Sequence, residues 1–491
     1  MKGGTVDRNQ PSQGTDKITP WLLWAAIILC VLGSCFSSLG PFGTGVPTRD
    51  SSTFIFAGEQ WAKSGGLYSV AWDHKGPLIF ALPALCSLFG SFSWQALWAV
   101  ETAALTGSAA LLFFMIKRRT SSVYALMVPA IYAASIFRPL QQGNYTEGYC
   151  LLFIAIALYL VLSWPESLAC AFGAGLSCAM ILGFRINNVL GLLLFLPLAI
   201  LISRDRPWAR LASGTAGLAV GFTLILGLFW AAMGPQEFQE MIYANLDFNT
   251  SYSSVSWAER GNAFFKVWLN QNSPLLIIAP LLAAGMLIKT KGSSLLLAAL
   301  LLSTAVQTLG LGISGRSYMH YSLILLPLSA LLLALIFEGQ EIRKRSQLNW
   351  MIGYGVLGVL LPLALGVGAA AKLGDSEERV VKTVEELRSV PGRSLFVWGH
   401  QANILLLDGR HFGSRFFTCA GLTNSHARRE DWIEELSQTM AKSSPDILVF
   451  GDSLQGLKEV HPSITRLLER EMPSYKPWPV KDGSFPIYVK R

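Results

Sequence analysis

Charged residues are scarce in this chain of 491 residues. Asp, Glu, Lys and Arg together make up 14% of it, and hydrophobic residues make up 52%. That charged share is roughly half of what soluble domains carry, which excludes a wholly soluble globular protein. The chain also lacks a Walker motif, a dinucleotide-binding fingerprint, zinc-ligand spacing and a nucleophile elbow. The sequence therefore gives no sign of the chemistries that those motifs serve.

The seven cysteines do not form a disulfide pattern. Only Cys419 lies in the polar C-terminal part of the chain, and a free Cys in an apolar run behaves as a small hydrophobic residue. The formal net charge of +8 is explained by basic loops near anionic lipid, so the sequence predicts no nucleic-acid partner. The other six cysteines lie in or beside apolar runs: Cys30, Cys35, Cys86, Cys150, Cys170 and Cys178.

Long apolar runs predict a polytopic α-helical membrane protein. The polar tail 1–20 is followed by no convincing cleavage site, so the first run is interpreted as a retained transmembrane helix. The segment 77–116 is long enough for two spans, but we interpret it as one crossing with a kink near Gly90. The eleven predicted spans are roughly 21–40, 77–116, 121–137, 146–163, 168–184, 186–203, 211–233, 273–288, 293–313, 321–338 and 350–370.

Four basic clusters orient these spans. By the positive-inside rule, the clusters at 117–119, 204–210, 289–291 and 341–345 lie in the cytoplasm with the N-terminus. We therefore expect a multi-pass protein of the inner (plasma) membrane, with its C-terminus outside the cytoplasm. The loops expected on the outer face carry isolated ionisable residues; they are 41–76, 138–145, 184–188, 234–272 and 314–320.

The composition changes to that of a soluble domain at about residue 372. Helical and strand-like stretches alternate from there, with strands predicted near 394–398, 446–450 and 486–490. This alternation favours a small α/β domain with a partly parallel sheet. The predicted organisation is thus a cytoplasmic tail (1–20), a transmembrane domain (21–371) with a large outer loop (41–76), and an extracytoplasmic α/β domain (372–491).

The large outer loop carries the first candidate for catalysis. A carboxylate at Asp50, shortly after the first span, fits a general base; it equally fits a residue that caps a helix starting near Ser51. Glu59 lies in the same loop. The loop is about thirty residues long without low-complexity character, which is more often a functional property than an incidental one.

The same loop ends in Asp73-His74-Lys75, directly before Gly76-Pro77. A proline in the first helical turn fixes the return to the membrane. It would hold His74 and Lys75 at the level of the lipid headgroups. Lys75 is a candidate for contact with a phosphate, and the alternative is a lysine that only extends its charge to the membrane surface.

Cations occur at several further helix ends on the same predicted face. Arg138, Arg185 and Arg316 with His320 each lie beside an apolar run, and the planar guanidinium suits a phosphate. Glu147 either faces a polar cavity or stabilises the first turn of a helix. Cations that converge beside carboxylates indicate a site for an anionic, lipid-linked group.

Further polar side chains complete the candidate set. Three asparagines and a tyrosine are interpreted as substrate-binding or metal-assisting residues, although they also fit ordinary loops. The same interpretation applies to Glu59, Asp73, His74 and Glu147. A divalent cation held by Asp50, His74 or Glu147 fits these ligand types, but no spacing requires one, and no cofactor is assigned. The amide and aromatic candidates are Asn144, Asn187, Asn245 and Tyr252.

The order of these motifs resembles the integral-membrane glycosyltransferases of the C-type fold that use polyprenyl-phosphate sugars, such as protein O-mannosyltransferases and lipid A aminoarabinose transferases. The resemblance covers about 20–370 and is strongest in 48–78. The motifs that carry it are Asp50, Gly65-Gly66-Leu67-Tyr68, Trp72-Asp73-His74-Lys75-Gly76-Pro77-Leu78, Gly143-Asn144-Tyr145-Thr146-Glu147, Phe184-Arg185-Ile186-Asn187 and Tyr318-Met319-His320-Tyr321 with Pro327.

The chain departs from that family at three positions. Ser51 follows Asp50 where the mannosyltransferases have a Glu, and Gly76 replaces a Pro. Glu101 is the ionisable residue in the segment where they carry a phosphate-binding arginine. The resemblance therefore implies that Arg138, Arg185 or Arg316 binds the donor phosphate here.

The resemblance implies an inverting hexosyl- or pentosyltransferase that moves a sugar from a polyprenyl-phosphate donor to an extracytoplasmic hydroxyl of a glycan, lipid or protein. Asp50 would accept the hydroxyl proton. The alternatives are a transporter or flippase for a lipid-linked saccharide, and a non-catalytic subunit or receptor. Transporters tend to show internal repeats and charges near the membrane midplane. No clear repeat is present and the ionisable residues gather at one face, which favours an enzyme.

Overall fold

The computed structural model describes most of the chain. Of the sequence predictions, the tail before residue 15, Arg204 and most of the basic cluster at 341–345 lie outside the described residues. The described residues are 15–140, 143–203, 205–252, 256–269, 274–289, 294–338, 345–451, 453, 456, 457, 459 and 461–491.

Helices dominate the described residues. Short 3₁₀ segments join several of them, at Ser87–Phe92, Ile186–Val189, Met319–Leu325 and Met472–Ser474, and one π-helix spans Tyr243–Phe248. The helices are α1 Thr15–Cys35, α2 Arg49–Ser64, α3 Pro77–Cys86, α4 Ser93–Arg119, α5 Val123–Leu126, α6 Val128–Leu140, α7 Thr146–Ser163, α8 Leu168–Phe184, α9 Leu190–Ile202, α10 Pro207–Ile242, α11 Asn249–Tyr252, α12 Trp257–Leu269, α13 Pro274–Lys289, α14 Leu295–Gly312, α15 Leu326–Phe337, α16 Arg345–Leu387, α17 Ala402–Asp408, α18 Ala420–Thr423, α19 Arg429–Lys442 and α20 Pro462–Glu471.

The apolar helices make the chain a multi-pass membrane protein. Within the described residues, six helical segments are long and apolar enough to cross a membrane, and five shorter apolar helices accompany them. The number of crossings, predicted as eleven, stays a prediction. The long segments are Pro77–Arg119, Val123–Leu140, Thr146–Ser163, Pro207–Ser251, Leu295–Gly312 and Met319–Phe337; the shorter ones are Thr19–Cys35, Leu168–Phe184, Ile186–Ile202, Leu275–Lys289 and Gly355–Gly366.

The segment 77–116 contains the break that its sequence predicts. Helix α3 ends at Cys86, and a 3₁₀ segment leads into α4 at Ser93. Gly90 lies in that segment with φ +59° and ψ −124°. A residue without Cβ adopts this backbone conformation at little cost, which explains why the chain bends at the glycine.

Helices occupy most of the segment 234–272, where the sequence predicts an outer loop. Its place on the outer face stays a prediction. Helix α10 breaks at Gly234, where φ is +83°, and continues to Ile242. Pro235 starts the second half, where its missing N–H leaves no hydrogen bond unmade. The residues that follow, from Gln236 to Met241, are mostly good helix formers, so the polar character of the segment does not end the helix.

Two long helices, α8 and α10, pack with their backbones close together. A Cβ added at Gly175 would overlap the carbonyl oxygen of Gly214, and one added at Gly217 would overlap that of Phe172. Small residues at such an interface allow close helix approach in a membrane, where no hydrophobic effect drives helices together. This pair brings Arg185, which directly follows α8, to the same end of the bundle as the later part of α10.

The C-terminal unit, residues 388–491, contains a four-stranded sheet. Its strands are β1 Leu395–Trp398, β2 Ile447–Phe450, β3 Tyr475–Pro477 and β4 Ile487–Lys490, in the order β1-β2-β4-β3. Strands β1 and β2 are parallel, whereas β4 is antiparallel to both β2 and β3. Strand β3 has no counterpart among the predicted strands. It is short and two of its three residues are exposed, so it lacks a hydrophobic pattern.

No break in the helix separates the last apolar run from the start of the predicted C-terminal domain. Helix α16 continues from Arg345 to Leu387, through the predicted domain boundary at residue 372. The connecting sequence, Gly366-Val367-Gly368-Ala369-Ala370-Ala371-Lys372, contains no proline, and alanine is the strongest helix former. Composition changes at this boundary, but the helix does not end there.

The C-terminal unit is fixed to the helical bundle by polar and aromatic contacts. The Trp72 backbone N–H donates to the Arg415 backbone carbonyl at 2.9 Å, and the centres of the Trp72 and Trp432 rings lie 4.6 Å apart. Near the end of α10, the Glu240 carboxylate accepts from Arg415 at 3.3 Å and from Arg428 at 2.8 Å. These contacts place the C-terminal unit over the segment that contains Asp73-His74-Lys75.

The close packing of α8 and α10 gives a stability prediction. We expect Gly217→Ala to lower the thermal midpoint of the purified protein, because forcing a methyl group into tight packing costs about 1–3 kcal/mol. The matched control is Gly227→Ala on the same helix, where an added Cβ meets nothing within 4 Å. The control should be neutral or slightly stabilising, since Ala favours a helix over Gly. Equal midpoints for the two variants would contradict the packing described here.

Candidate active site

A polar cavity of about 720 Å³ lies between the helical bundle and the C-terminal unit. This volume is typical of sites for small molecules. The helix α2, the segment before α3, the ends of α6 and α8, the start of α7 and the segment before α15 contribute to it, with the C-terminal unit opposite. The lining residues are Arg49, Asp50, Thr53, Phe54, Asp73, His74, Lys75, Arg138, Pro139, Tyr145, Thr146, Glu147, Arg185, Arg316, Tyr318, Met319, His320, Tyr321, His400, Thr418, Ala420, Thr423 and Asn424.

A buried ion pair forms one wall of the cavity. Arg185 Nη1 lies 2.6 Å from Glu147 Oε1, and Arg185 Nη2 donates to the Tyr321 hydroxyl at 2.7 Å. The guanidinium carbon also lies 4.3 Å from the centre of the Tyr321 ring. The Glu147 side chain is 1% exposed and that of Arg185 15%, so each charge depends on the other for its solvation.

The Asp73-His74-Lys75 turn brings three titratable groups to the cavity. Lys75 Nζ lies 2.6 Å from His74 Nε2, and Asp73 Oδ1 accepts from the Lys75 backbone N–H at 3.1 Å. Burial, and then the charge of Lys75, hold the pKa of His74 well below its usual range. A neutral His74 can accept through Nε2 from the Lys75 ammonium. Burial also lowers the pKa of Lys75, and Asp73 opposes that shift.

Asp50 lies in the first turn of α2 and lines the cavity. The helix begins at Arg49 with Thr48 as its N-cap, so the alternative that Asp50 itself caps the helix is not what the structure shows. Its carboxylate makes no hydrogen bond or ion pair with another residue in the described part of the chain. A carboxylate that no described residue engages is available to act as a general base.

Arg138 differs from Arg185 in having no hydrogen-bond or ion-pair partner among the described residues. It lies at the end of α6 and lines the cavity, and its Nε and Nη1 are buried without a hydrogen bond to any described group. Buried polar groups are nearly always paired, so unpaired guanidinium N–H groups indicate an anionic ligand.

Arg316 lies on the exposed rim of the same cavity. His320 is buried, and its ring stacks on that of Tyr145 at 4.0 Å.

Four other candidate residues do not line the cavity. The Asn144 amide donates to the Ser51 carbonyl, and the Asn245 amide donates to the Lys75 carbonyl, so both hold the surrounding segments. Asn187 accepts from Gln307 through its backbone carbonyl. Glu59 lies beside Lys63 on the surface of α2. The side chain of Tyr252 lies outside the described part of the structure.

Glu101 neither lines the cavity nor lies at the kink. Its Oε2 accepts from the Asn144 backbone N–H at 2.9 Å. Asn144 has φ +54° and follows Gly143, whose φ is +66°. The buried carboxylate therefore stabilises a turn in left-handed conformation directly before Tyr145 and Glu147 enter the cavity wall.

Sequence reasoning missed two groups of residues. Glu237 accepts from the Tyr68 and Ser69 backbone N–H groups at 2.7 and 3.1 Å, and so holds the turn that leads to Trp72. An acid beside hydrophobic residues after a Gly-Pro break was the available signal. The second group lies in the C-terminal unit. For His400, which comes two residues after β1, the signal was a polar residue at the carboxyl end of a buried strand.

The described residues contain no group of three or more His, Cys, Asp or Glu side chains that could hold a metal ion. Asp50, His74 and Glu147 all line the cavity, but they do not converge into such a group. The cavity thus contains candidate residues for proton transfer and anion binding, and it has five cationic Arg or Lys residues against three carboxylates.

Comparisons with known proteins place the fold. No family model matches the chain, and neither does any curated protein. The crystal structure of ArnT from Cupriavidus metallidurans in the apo state matches with a TM-score of 0.59 and 13% identity, over 97% of this chain and 98% of that one. The structure of the same protein bound to undecaprenyl phosphate matches with a TM-score of 0.59 and 12% identity, over 98% of each chain. The archaeal oligosaccharyltransferase AglB from Archaeoglobus fulgidus, in complex with an inhibitory peptide and a dolichol-phosphate, has a TM-score of 0.48 at 12% identity, over 98% of this chain and 75% of that one.

This chain therefore shares the fold of ArnT along almost its whole length. That agrees with the family that the sequence motifs resemble, and with a polytopic helical region followed by a small C-terminal sheet.

We predict that the Glu237 carboxylate stabilises the backbone of the segment 65–76. Glu237→Met removes the acceptor of two backbone N–H groups, so we expect faster hydrogen–deuterium exchange across residues 66–72. Each buried N–H group left without an acceptor lowers the free energy of unfolding by about 1–3 kcal/mol. Gln236→Met is the matched control, since Gln236 is exposed next to it on α10. Unchanged exchange in both variants would show that Glu237 does not hold the turn.

Proposed function

We propose that this protein is an inverting glycosyltransferase that moves a sugar from a polyprenyl-phosphate donor to an acceptor hydroxyl. The observation that carries the proposal is the cavity, in which an unengaged carboxylate at Asp50 faces several cations at the ends of apolar helices. A lipid-linked phosphate needs both an apolar region for its tail and cations for its charge. The shared fold supports the proposal, because an ArnT structure contains undecaprenyl phosphate.

The donor phosphate is assigned to Arg138, with Lys75 and Arg185 beside it. Arg138 has N–H groups that no described residue accepts from, whereas the Arg185 charge is already balanced by Glu147. A phosphate oxygen would give the Arg138 guanidinium the acceptors it lacks, and the planar group suits a two-point contact. Arg316, with His320 below it, would complete the cationic rim.

The reaction requires one carboxylate as base. Asp50 takes the proton of the acceptor hydroxyl, whose oxygen forms a bond to the anomeric carbon of the sugar. The bond from that carbon to the phosphate oxygen breaks, and polyprenyl phosphate leaves with the electron pair. Attack opposite the leaving group inverts the anomeric carbon. Fixed cations at the phosphate stabilise the negative charge that develops there, an effect that can contribute several kcal/mol, on the order of 3 for one donor.

We further propose that the cavity opens on the extracytoplasmic side of the inner membrane, as the basic clusters indicate. The N-terminus would lie in the cytoplasm, and the proposed domains are a transmembrane domain at 21–371 and an extracytoplasmic one at 372–491. The acceptor would be a glycan, lipid or protein of the cell envelope, and the sugar a hexose or pentose. A flippase for a lipid-linked saccharide is the second candidate, because it too needs a phosphate site, but it has no use for a base at Asp50.

The first test is Asp50→Asn. We expect transfer from labelled polyprenyl-phosphate sugars in purified membranes to fall by at least about 100-fold, since general bases contribute roughly 10²–10⁴-fold. Binding of undecaprenyl phosphate should be retained. The control is Asp247→Asn, an exposed aspartate in the π-helix that does not line the cavity. Wild-type transfer by Asp50→Asn would overturn the mechanism, and wild-type lipid translocation without any transfer would favour the flippase.

The two arginines should respond differently to the same substitution. Arg138→Gln should weaken the binding of undecaprenyl phosphate roughly tenfold or more without lowering the thermal midpoint, because hydrogen bonds to charged groups contribute about 1.5–3 kcal/mol. Arg185→Gln should lower the midpoint, since breaking a buried ion pair costs about 3–5 kcal/mol. Undecaprenyl-phosphate affinity and thermal unfolding are measured for both. Wild-type affinity in Arg138→Gln would exclude Arg138 as the phosphate ligand.

A further inference from the structure

The two walls of the cavity differ in charge. The helical bundle contributes all five Arg and Lys residues and all three carboxylates of the lining. The C-terminal unit contributes two threonines, an asparagine, an alanine and a histidine, and none of its lining residues is Asp, Glu, Lys or Arg. One side of the cavity thus suits a charged group, and the other suits an uncharged polar group.

Two lining side chains of the C-terminal wall, Asn424 and Thr423, have hydrogen-bond acceptors that no described group uses. The Asn424 amide nitrogen donates to the Ala420 carbonyl at 2.7 Å, while its Oδ1 accepts from no described group. The Thr423 hydroxyl donates to the Cys419 carbonyl at 2.8 Å, which leaves its lone pairs available. These oxygens are fixed in place by the bonds on their other side. Hydroxyl groups of a ligand would be suitable donors to them.

Thr418 supplies the independent indication of a ligand. The residue is 3% exposed and lines the cavity, and its hydroxyl has no hydrogen-bond partner among the described residues. A buried hydroxyl without a partner is costly, and each such group in a folded protein calls for an explanation. A hydroxyl-bearing ligand between the two walls would give Thr418 its partner.

The chemistry of a lipid-linked donor determines which part of it reaches this wall. Its tail lies among apolar helices, and its phosphate lies at the cations where those helices end. The sugar is attached on the far side of the phosphate, so it extends away from the bundle and toward the C-terminal unit. Building on the proposed function, we propose that Thr418, Thr423 and Asn424 form the subsite for the donor sugar, and that this sugar is uncharged and hydroxyl-bearing.

The absence of acids from this wall argues for the uncharged class. An amino sugar carries an ammonium group, which in a partly buried site requires a carboxylate or a comparable set of acceptors. The three carboxylates of the cavity lie on the helical wall. Glu147 pairs with Arg185, Asp73 lies in the turn with Lys75, and Asp50 is assigned as the base for the acceptor hydroxyl. The C-terminal wall has only neutral acceptors and an imidazole to offer.

The test compares binding with and without the sugar, using the full-length protein. Dissociation constants are measured for undecaprenyl phosphate and for its glucose, galactose, mannose and aminoarabinose esters. The variants are Thr418→Val, which removes a hydroxyl at constant shape, Thr418→Ser, which keeps it, and Asn424→Leu. Thr439→Val is the matched control, because Thr439 lies on α19 of the same unit, and its hydroxyl bonds to the Glu435 carbonyl away from the cavity.

We expect at least one of the three hexose esters to bind wild-type protein about tenfold tighter than undecaprenyl phosphate, a gain of about 1.4 kcal/mol. Thr418→Val and Asn424→Leu should lose this gain, and Thr418→Ser and Thr439→Val should keep it. A variant that still binds undecaprenyl phosphate with wild-type affinity is folded. If either Thr418→Val or Asn424→Leu loses that affinity, the other variant alone decides the comparison.

Three results would overturn the inference: no sugar adds affinity, only aminoarabinose does, or the gain survives in both Thr418→Val and Asn424→Leu. In each of them undecaprenyl phosphate still binds the wild-type protein. If undecaprenyl phosphate does not bind the wild-type protein at all, the proposed function itself fails, and the inference fails with it.

Discussion

The buried ion pair between Glu147 and Arg185 determines the shape of the cavity. It joins the start of α7 to the residue after α8, and the Tyr321 hydroxyl adds the segment before α15. Three helix ends are thus held by one guanidinium. Neither charge can be left alone at this depth, because an uncompensated buried charge costs more than the pair contributes. The helices must therefore meet at this point, and the other cavity residues on them are positioned as a consequence.

This pair also separates the roles of the cations. Arg185 is bound by Glu147 and Tyr321, and Lys75 Nζ lies beside His74. Arg138, by contrast, has N–H groups with no partner in the part of the chain that the structure describes. A phosphate that enters the cavity would meet one arginine that lacks acceptors and others that are already held in place. Groups fixed before the ligand arrives need no reorganisation when charge develops, which is the condition under which electrostatic stabilisation is most effective. In the same arrangement the Asp50 carboxylate lies in the cavity without an ion pair to any described residue.

The sequence was sufficient for those parts of the molecule that depend on local patterns. The predicted spans 146–163 and 168–184 coincide with α7 and α8, because uniform apolar composition and the flanking polar residues define both ends. Ionisable residues at helix ends were recognisable as candidates for the same reason, and Asp50, Lys75, Arg138 and Glu147 all line the cavity. The extension of α10 beyond residue 233 was not recognisable, since its polar residues resemble those of a loop while their helix propensity is high.

What the sequence could not predict depends on contacts between distant segments. Glu237 bonds to backbone groups 168 and 169 residues away, and no local pattern specifies such a pairing. The same holds for the wall formed by Thr418 and Asn424, which becomes part of the cavity only because the C-terminal unit docks above residues 65–76. Asn144 and Asn245 are the opposite case, because the sequence indicated them but they do not line the cavity. From the sequence they are interpreted as substrate-binding or metal-assisting, but in the fold their amide groups donate to backbone carbonyls.

One of the contacts between the C-terminal unit and the helical bundle requires a neutral histidine. His426 Nε2 donates to the Gly421 carbonyl at 2.6 Å, and its Nδ1 accepts from the Arg428 N–H at 3.3 Å and lies 2.8 Å from the Tyr243 hydroxyl. A carbonyl can only accept and a backbone N–H can only donate, so this network fits the neutral ring alone. Burial, together with the charges of Arg429 and Arg428, lowers the pKa of His426 and keeps it neutral. Because Gly421 belongs to α18, which carries Ala420 and Thr423 into the cavity, the neutral imidazole fixes the C-terminal wall relative to α10 and so relative to the cations opposite.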